Sequence, residues 1–481
     1  MGNYKFVFAV ISAAGNSGFN YGFQGSILNI IPSVVIDWYT QIRIDRKLNL
    51  VGFYDTEVFA PFILACFSLG GIFGSLLVFI CAQFIGRKNS IICSNFIILM
   101  GLLLQSLAYV TESYEVFIIG RFLTGLSAGL LSGVAPMYLV EISPYCVRGT
   151  VGSVYYVMVA AATALANILG LHQVLGYYNT WPWLYVCCFL PSCLQIVTMS
   201  LCPESPRYLL IDKEDDDEAE EALAWLRDDE DIDHEMNELR EEAAMLKDIN
   251  RVTFARLFKD QTLRSPMIIT TVILMGQQLC GVETMLHFSV FVFHMMGYNL
   301  GEAIDLSIGL ACANLALAII CMIIVDKVGR KILLMGSLGG IIMSSAVLSL
   351  TVLLRSSSEG VEDIIHLCSF FVYLFVAMFA LGAGPIPWFY AAELNNQLAR
   401  PMVMTIGLTL NWLIQFVVIM TFLPLQVCRK TFFLLTLAKV SVDNYVFMIY
   451  FGFDIAVIVF VVLTMRETMN LESIDIAELF Y

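Results

Sequence analysis

The stretch Phe84-Ile85-Gly86-Arg87-Lys88 returns later in the chain as Lys327-Val328-Gly329-Arg330-Lys331. Each copy closes a long run without charge, Val58 to Ile85 for the first. Further along, Glu141 is followed after six residues by Arg148, and Glu393 after six residues by Arg400. Both pairs stand at the end of the next uncharged run but one. One match would be chance. Two in register indicate a duplicated unit, and the runs around them count six apolar segments to each copy.

Composition says what solvent these segments need. Hydrophobic residues make up 59% of the 481 and charged residues 14%. A soluble domain is roughly half apolar and a quarter charged, so cytoplasmic enzymes are excluded and lipid is the solvent that fits. A spanning helix takes about 20 apolar residues. Twelve segments qualify: 5–26, 57–81, 89–111, 116–140, 150–172, 181–201, 266–296, 303–325, 332–354, 363–392, 401–424 and 444–464, called spans 1 to 12 below. The expected fold is an all-α membrane protein: six spans over 1–201, a helical linker over 202–265, six spans over 266–465, and a tail over 466–481.

The formal net charge of −15 does not imply a basic partner, because most of the acidic excess sits in Asp212 to Glu242, the solvated face of the linker. Ile232, Met236, Leu239, Ala243 and Leu246 follow helical spacing there. The 13 cysteines are scattered through the spans without a CxxC pair and read as packing residues. Lys and Arg cluster after spans 2, 4, 8 and 10 and in the linker, while the 3–4, 5–6 and 7–8 connections have none. The positive-inside rule then puts both termini and the linker in the cytoplasm. Arg43, Arg46 and Lys47, and Arg429, Lys430 and Lys439, run against the trend.

The motifs together resemble one family. Gly120-Arg121-Phe122, Pro203-Glu204-Ser205-Pro206-Arg207, Gln277-Gln278-Leu279-Cys280-Gly281, Gly384-Pro385-Ile386-Pro387-Trp388 and Asn411-Trp412 join the repeats above, in order and on the right spans. The chain resembles the sugar porters of the major facilitator superfamily, close to the animal facilitative hexose transporters. The resemblance implies the major facilitator fold and passive, alternating-access transport of a hexose, glucose first, across the plasma membrane. Its partners are then a small-molecule sugar and the lipid bilayer, with no nucleic acid and no cofactor.

Arg87, Glu141, Arg148, Glu204, Arg207, Arg330, Glu393 and Arg400 all fall at linker-side ends of spans. They are either topology anchors or ion pairs made in one transport state and broken in the other, and the resemblance implies the second. A sugar site needs groups that both donate and accept, and apolar faces for C–H groups. Gln277, Gln278, Asn314 and Asn411 are mid-span amides, which offer both. Trp388 and Trp412 supply faces. Gly281, Pro385 and Pro387 interrupt spans 7 and 10, as broken helices along substrate paths do.

Three positions depart from the family. Glu283 stands where it usually has Asn, His287 and Phe288 where it has two tyrosines, and Tyr156 where it has Gln. The tail motif Pro-Glu-Thr is altered to Arg466-Glu467-Thr468. Leu274-Met275-Gly276 resembles the fructose-carrying branch, and Trp388 the glucose-carrying one. A carboxylate at membrane depth marks function by default, so Glu283 is a candidate to bind sugar hydroxyls, to pair with His287, or to carry a proton. His287 and Phe288 are candidate gates. Proton-coupled relatives usually carry an acid where span 1 here has Gln24, which favours passive transport. The alternatives are proton symport through Glu283 or Asp454, fructose as main substrate, and a non-transporting sugar sensor. An enzyme is not expected, since no metal-ligand cluster, nucleophile elbow or phosphate loop is present in the sequence.

Overall fold

Inside lipid every backbone N–H and C=O must be satisfied within the chain, which leaves helices for segments of this composition. The computed structural model describes residues 4–47, 53–228, 232–247, 252–355, 361–427, 446–472, 475–476 and 479–480. Twelve helical spans lie among them, at the twelve expected places. Span 1 is Tyr4–Ile30, span 3 Arg87–Leu107, span 4 Tyr114–Ile142, span 5 Arg148–Leu169, span 8 Leu300–Val328, span 9 Arg330–Arg355, span 11 Arg400–Val427 and span 12 Val446–Thr464. The contrary basic residues Arg429, Lys430 and Lys439 lie outside the described residues.

The other four spans are broken. Span 2 bends by about 40° at Leu77. Span 6 is Trp183–Cys187 and Phe189–Ser200. Span 7 has three pieces, Gln261–Leu279, Val282–His287 and Ser289–Met296, and span 10 has two, Val361–Leu381 and Ile386–Leu394. A further helix, Pro32–Asp45, follows span 1 and was not expected from hydropathy. Its Arg46 pairs with Glu115 at 2.7 Å, which accounts for one of the contrary charges.

The linker folds as Tyr208–Asp212, Asp216–Arg227, Asp233–Lys247 and Phe254–Lys259. Its apolar stripe buries Leu223, Met236 and Leu239 against Tyr208 and Leu209. Lys5 pairs with Asp228 at 2.7 Å, and the tail residue Glu467 meets Arg330. The first residues of span 1, the linker and the tail therefore share one face, the linker face.

The repeat seen in the sequence is a repeat in space. Span 3 starts after Gly86 and span 9 after Gly329, both at φ +97, a conformation that favours glycine. Glycine offers no side chain to cap the helix, so a carboxylate arrives from elsewhere. Glu204 accepts from the Arg87 and Lys88 amides at 3.1 Å, and Glu467 from the Arg330 and Lys331 amides at 2.9 Å. These anions satisfy exposed amides at the positive end of each helix.

Candidate functional site

Each half builds a charged hub at the linker face. In the first, the Arg87 guanidinium meets Glu141 at 3.0 Å and Asp212 at 3.2 Å, beneath the Tyr208 ring. Ser205 donates to Glu141 and Tyr138 donates to the Pro203 carbonyl. In the second, Arg330 meets Glu393 at 3.2 Å and Asp326 at 3.0 Å. Thr468 donates to Glu393 and Tyr390 donates to the Arg466 carbonyl. Residues 203–205 and 466–468 are thus equivalent, a correspondence the sequence reading missed. The altered motif keeps the same contact, because position 466 contributes its main-chain oxygen just as Pro203 does. Burial pushes the Glu204 carboxyl above its ordinary range, opposed by the amides it caps.

The hubs are joined across the halves. Arg400 donates to Glu141 at 3.1 Å. Asp326 accepts from the amides of Gly149 and Thr150 at the start of span 5, at 3.1 and 2.6 Å. Gln397 donates to Asp212 at 3.2 Å. The linker face is closed by these contacts.

Three members of the expected gating set behave differently. Arg148 forms no ion pair among the described residues, although it is buried and its Nε has no hydrogen-bond partner. Its counterpart Arg400 reaches Glu141, and Asp326 reaches the start of span 5, while the position matching Asp326 in the first half is Gln83. Glu204 joins the end of span 6 to the start of span 3 through main-chain amides and makes no ion pair among the described residues. Arg207 pairs with Glu242 inside the linker segment.

The mid-membrane amides sit together and hold one another. Gln277 donates to the carbonyls of Ala383 and Gly384 at 3.1 and 2.8 Å, the groups that the break in span 10 frees. Asn411 donates to Gln277 at 3.1 Å, and Gln278 donates to Asn411 at 3.3 Å. Pro385 and Pro387 open the second piece of span 10, where a missing N–H is harmless. Tyr156 of the first half donates to Asn314 of the second at 3.0 Å. Gly281, at φ +82, makes the break in span 7, and a Cβ there would enter the Tyr450 ring.

Tyr21 on span 1, not singled out by the sequence, is the hub of the remaining residues. The Trp412 and Trp388 rings meet it edge-on at 5.2 and 5.9 Å. It donates to Glu283 at 3.2 Å and accepts from Gln415 at 3.3 Å. Glu283 also pairs with His287, one turn on. His287 is packed beneath Gly25, the Phe288 ring meets Phe422 at 5.0 Å, tilted by 40°, and Asn29 donates to Ser289 and Ser307. Among the described residues the two halves also meet on this face, opposite the linker. Gln24 accepts from Arg121 at 3.1 Å, so span 1 offers this guanidinium an amide, not a carboxylate. The cavity lined by Gly25, Phe67, Arg121, His287 and Gln415 has room for about one water. The predicted sugar-contacting residues are therefore adjacent, but in this conformation they bond to each other.

A duplicated bundle with broken helices at its midplane and a closable latch on each face is the architecture of an alternating-access carrier. The chain belongs to the family described as "Sugar (and other) transporter", whose profile matches residues 6–480. It is 30% identical over 487 residues to the facilitated glucose transporter member 3 of solute carrier family 2 from Canis lupus familiaris, covering 100% of this chain and 94% of that one. It is 31% identical to the same transporter of Mus musculus, covering 98% and 92%. Among solved structures, the proton:xylose symporter XylE bound to 6-bromo-6-deoxy-D-glucose superposes with a TM-score of 0.84 at 20% identity over 100% of both chains. That likeness fixes the fold.

Proposed function

We propose that the protein carries a hexose, glucose first, passively across the plasma membrane by alternating access. Residues 1–201 and 266–465 rock about the site between them. The observation that carries this reading is the amide cluster of the site. Gln277 and Gln278 on span 7 bond to Asn411 on span 11 and to the carbonyls freed by the break in span 10, and Asn314 on span 8 bonds to Tyr156. On span 1, the place where proton-coupled relatives carry an acid is held by Gln24, which cannot take up a proton. The named relatives, facilitated glucose transporters matched along the whole chain, support the same substrate class.

Opening either face would release the amides from one another and free their donors and acceptors for sugar hydroxyls. The latch of Glu141, Arg400, Asp326 and Gln397 gates one side, and Tyr21, Glu283, His287 and Phe288 gate the other. The Lys/Arg distribution supports placing the linker face, with both termini, in the cytoplasm. Uptake into proteoliposomes tests the reading. The internal tracer concentration is expected to reach the external one and stop there, with or without a proton gradient. Accumulation driven by that gradient overturns it.

A further inference from the structure

One carboxylate belongs to none of these contacts. Asp454 lies within span 12, is 1% exposed, and neither of its oxygens has a hydrogen-bond partner among the described residues. Tyr450, Asp454, Val457 and Val461 share one buried face of that helix by their three- and four-residue spacing.

This face packs on the break in span 7. The Tyr450 ring covers Gly281 and its hydroxyl meets Thr284 at 3.1 Å, while Val457 covers Gly276. Asp454 is one turn from each, level with the residues that lead into the Gly281 turn. The titratable groups around it are few. From span 7, the Cys280 thiol faces it, and Glu283 lies beyond the turn, engaged by Tyr21 and His287. Tyr450 is on its own helix. Span 9 also packs here, and its charged residues, Arg330, Lys331 and Arg355, are confined to its ends.

An ionised carboxylate with no donor in apolar surroundings is disfavoured by several kcal/mol, and such a group takes a proton instead. The seam that encloses it is formed on the span 7 hinge, so movement at Gly281 would part spans 7 and 12 and admit water. We propose that Asp454 is a proton-binding site linked to this hinge. The acid O–H is intact while the seam is closed. When the seam opens, that bond breaks and the proton passes to water. The closed form then binds one more proton than the open form, so acid favours closure and rising pH favours opening. Between the two titration ranges the opening constant rises up to tenfold per pH unit.

The inference rests on the alternating-access reading only in requiring span 7 to move, and its test needs neither sugar nor gradient. The full chain in lipid nanodiscs is followed by amide hydrogen exchange across residues 276–288, from pH 6 to 8.5. Wild type is compared at each pH with Asp454→Asn, the shape of the neutral acid without its titration, so the chemical pH dependence of exchange cancels. The wild-type to Asn exchange ratio is expected to climb with pH, by up to tenfold per unit, and to level off once the closed form itself titrates. Asp454→Leu is expected to fold and to melt at pH 8 no lower than wild type. A constant ratio overturns the proposal. So does failure of both variants to fold, since Asp454 would then be a structural partner and not a neutral acid.

Discussion

Arg400→Gln is the substitution that separates a gate from a topology anchor. The Arg400 guanidinium gives Glu141 a 3.1 Å bond between the two halves. Glu141 keeps Arg87 and Ser205 when Arg400 is gone. No bare charge is left behind, so the 3–5 kcal/mol typical of a broken buried pair does not apply. The loss is that of one charge-assisted hydrogen bond, about 1.5–3 kcal/mol. It falls on the state closed at the linker face alone, because the halves separate there in the other state. The equilibrium should therefore shift toward linker-face opening by roughly 10- to 150-fold. Spin labels on exposed residues of the two halves at this face, read by electron–electron distance measurements, would show the longer distance growing at the expense of the shorter. Arg148→Gln is the internal control. Arg148 has the matching position in the repeat but no ion pair among the described residues, so its loss should shift the distances by less than Arg400→Gln. If the two variants open the face equally, or neither does, the reasoning from the contacts is wrong.

The tail gives a second expectation: Glu467→Gln and Glu204→Gln should each lower stability by about 0.5–2 kcal/mol, as lost helix caps do, while Arg466→Pro stays within about 0.5 kcal/mol. Thermal melting in detergent checks this, and a large loss from Arg466→Pro would refute the equivalence of the two segments. Glu283→Gln keeps the shape but weakens the charge-assisted bonds this carboxylate would accept from sugar hydroxyls; apparent hexose affinity should fall roughly threefold to thirtyfold. Inhibition of tracer uptake by unlabelled sugar measures it, and superimposable curves from pH 5 to 8 would reduce Glu283 to a cavity wall.

The spans and their duplication were legible because lipid imposes a length on each apolar run and because the Gly-Arg-Lys and Glu-x6-Arg motifs repeat. Helix breaks were legible where glycine and proline mark them, in spans 7 and 10. The bend at Leu77 and the break at Cys188 were not read from the sequence, although Gly74 and Pro191 stand three residues from them. The amide cluster was legible as residue types and spans, but its internal bonding was not. Gln277 caps carbonyls 106 and 107 residues away, a relation set by the fold alone. Arg148 shows the limit most clearly. Its spacing from Glu141 predicts the role of Arg400, yet Asp326 against Gln83 decides otherwise. Tyr21 was missed because a tyrosine among apolar residues looks like packing.

That difference between the halves bears on how the linker face comes apart. Two identical salt bridges would let go from either edge with equal ease. Here one side of the seam is a guanidinium on a carboxylate, and the other is a carboxylate on the bare amides that begin span 5. Two unlike fasteners can let go one after the other. The seam then peels from a preferred edge, and each stroke of the carrier follows the same path instead of two mirror-related ones.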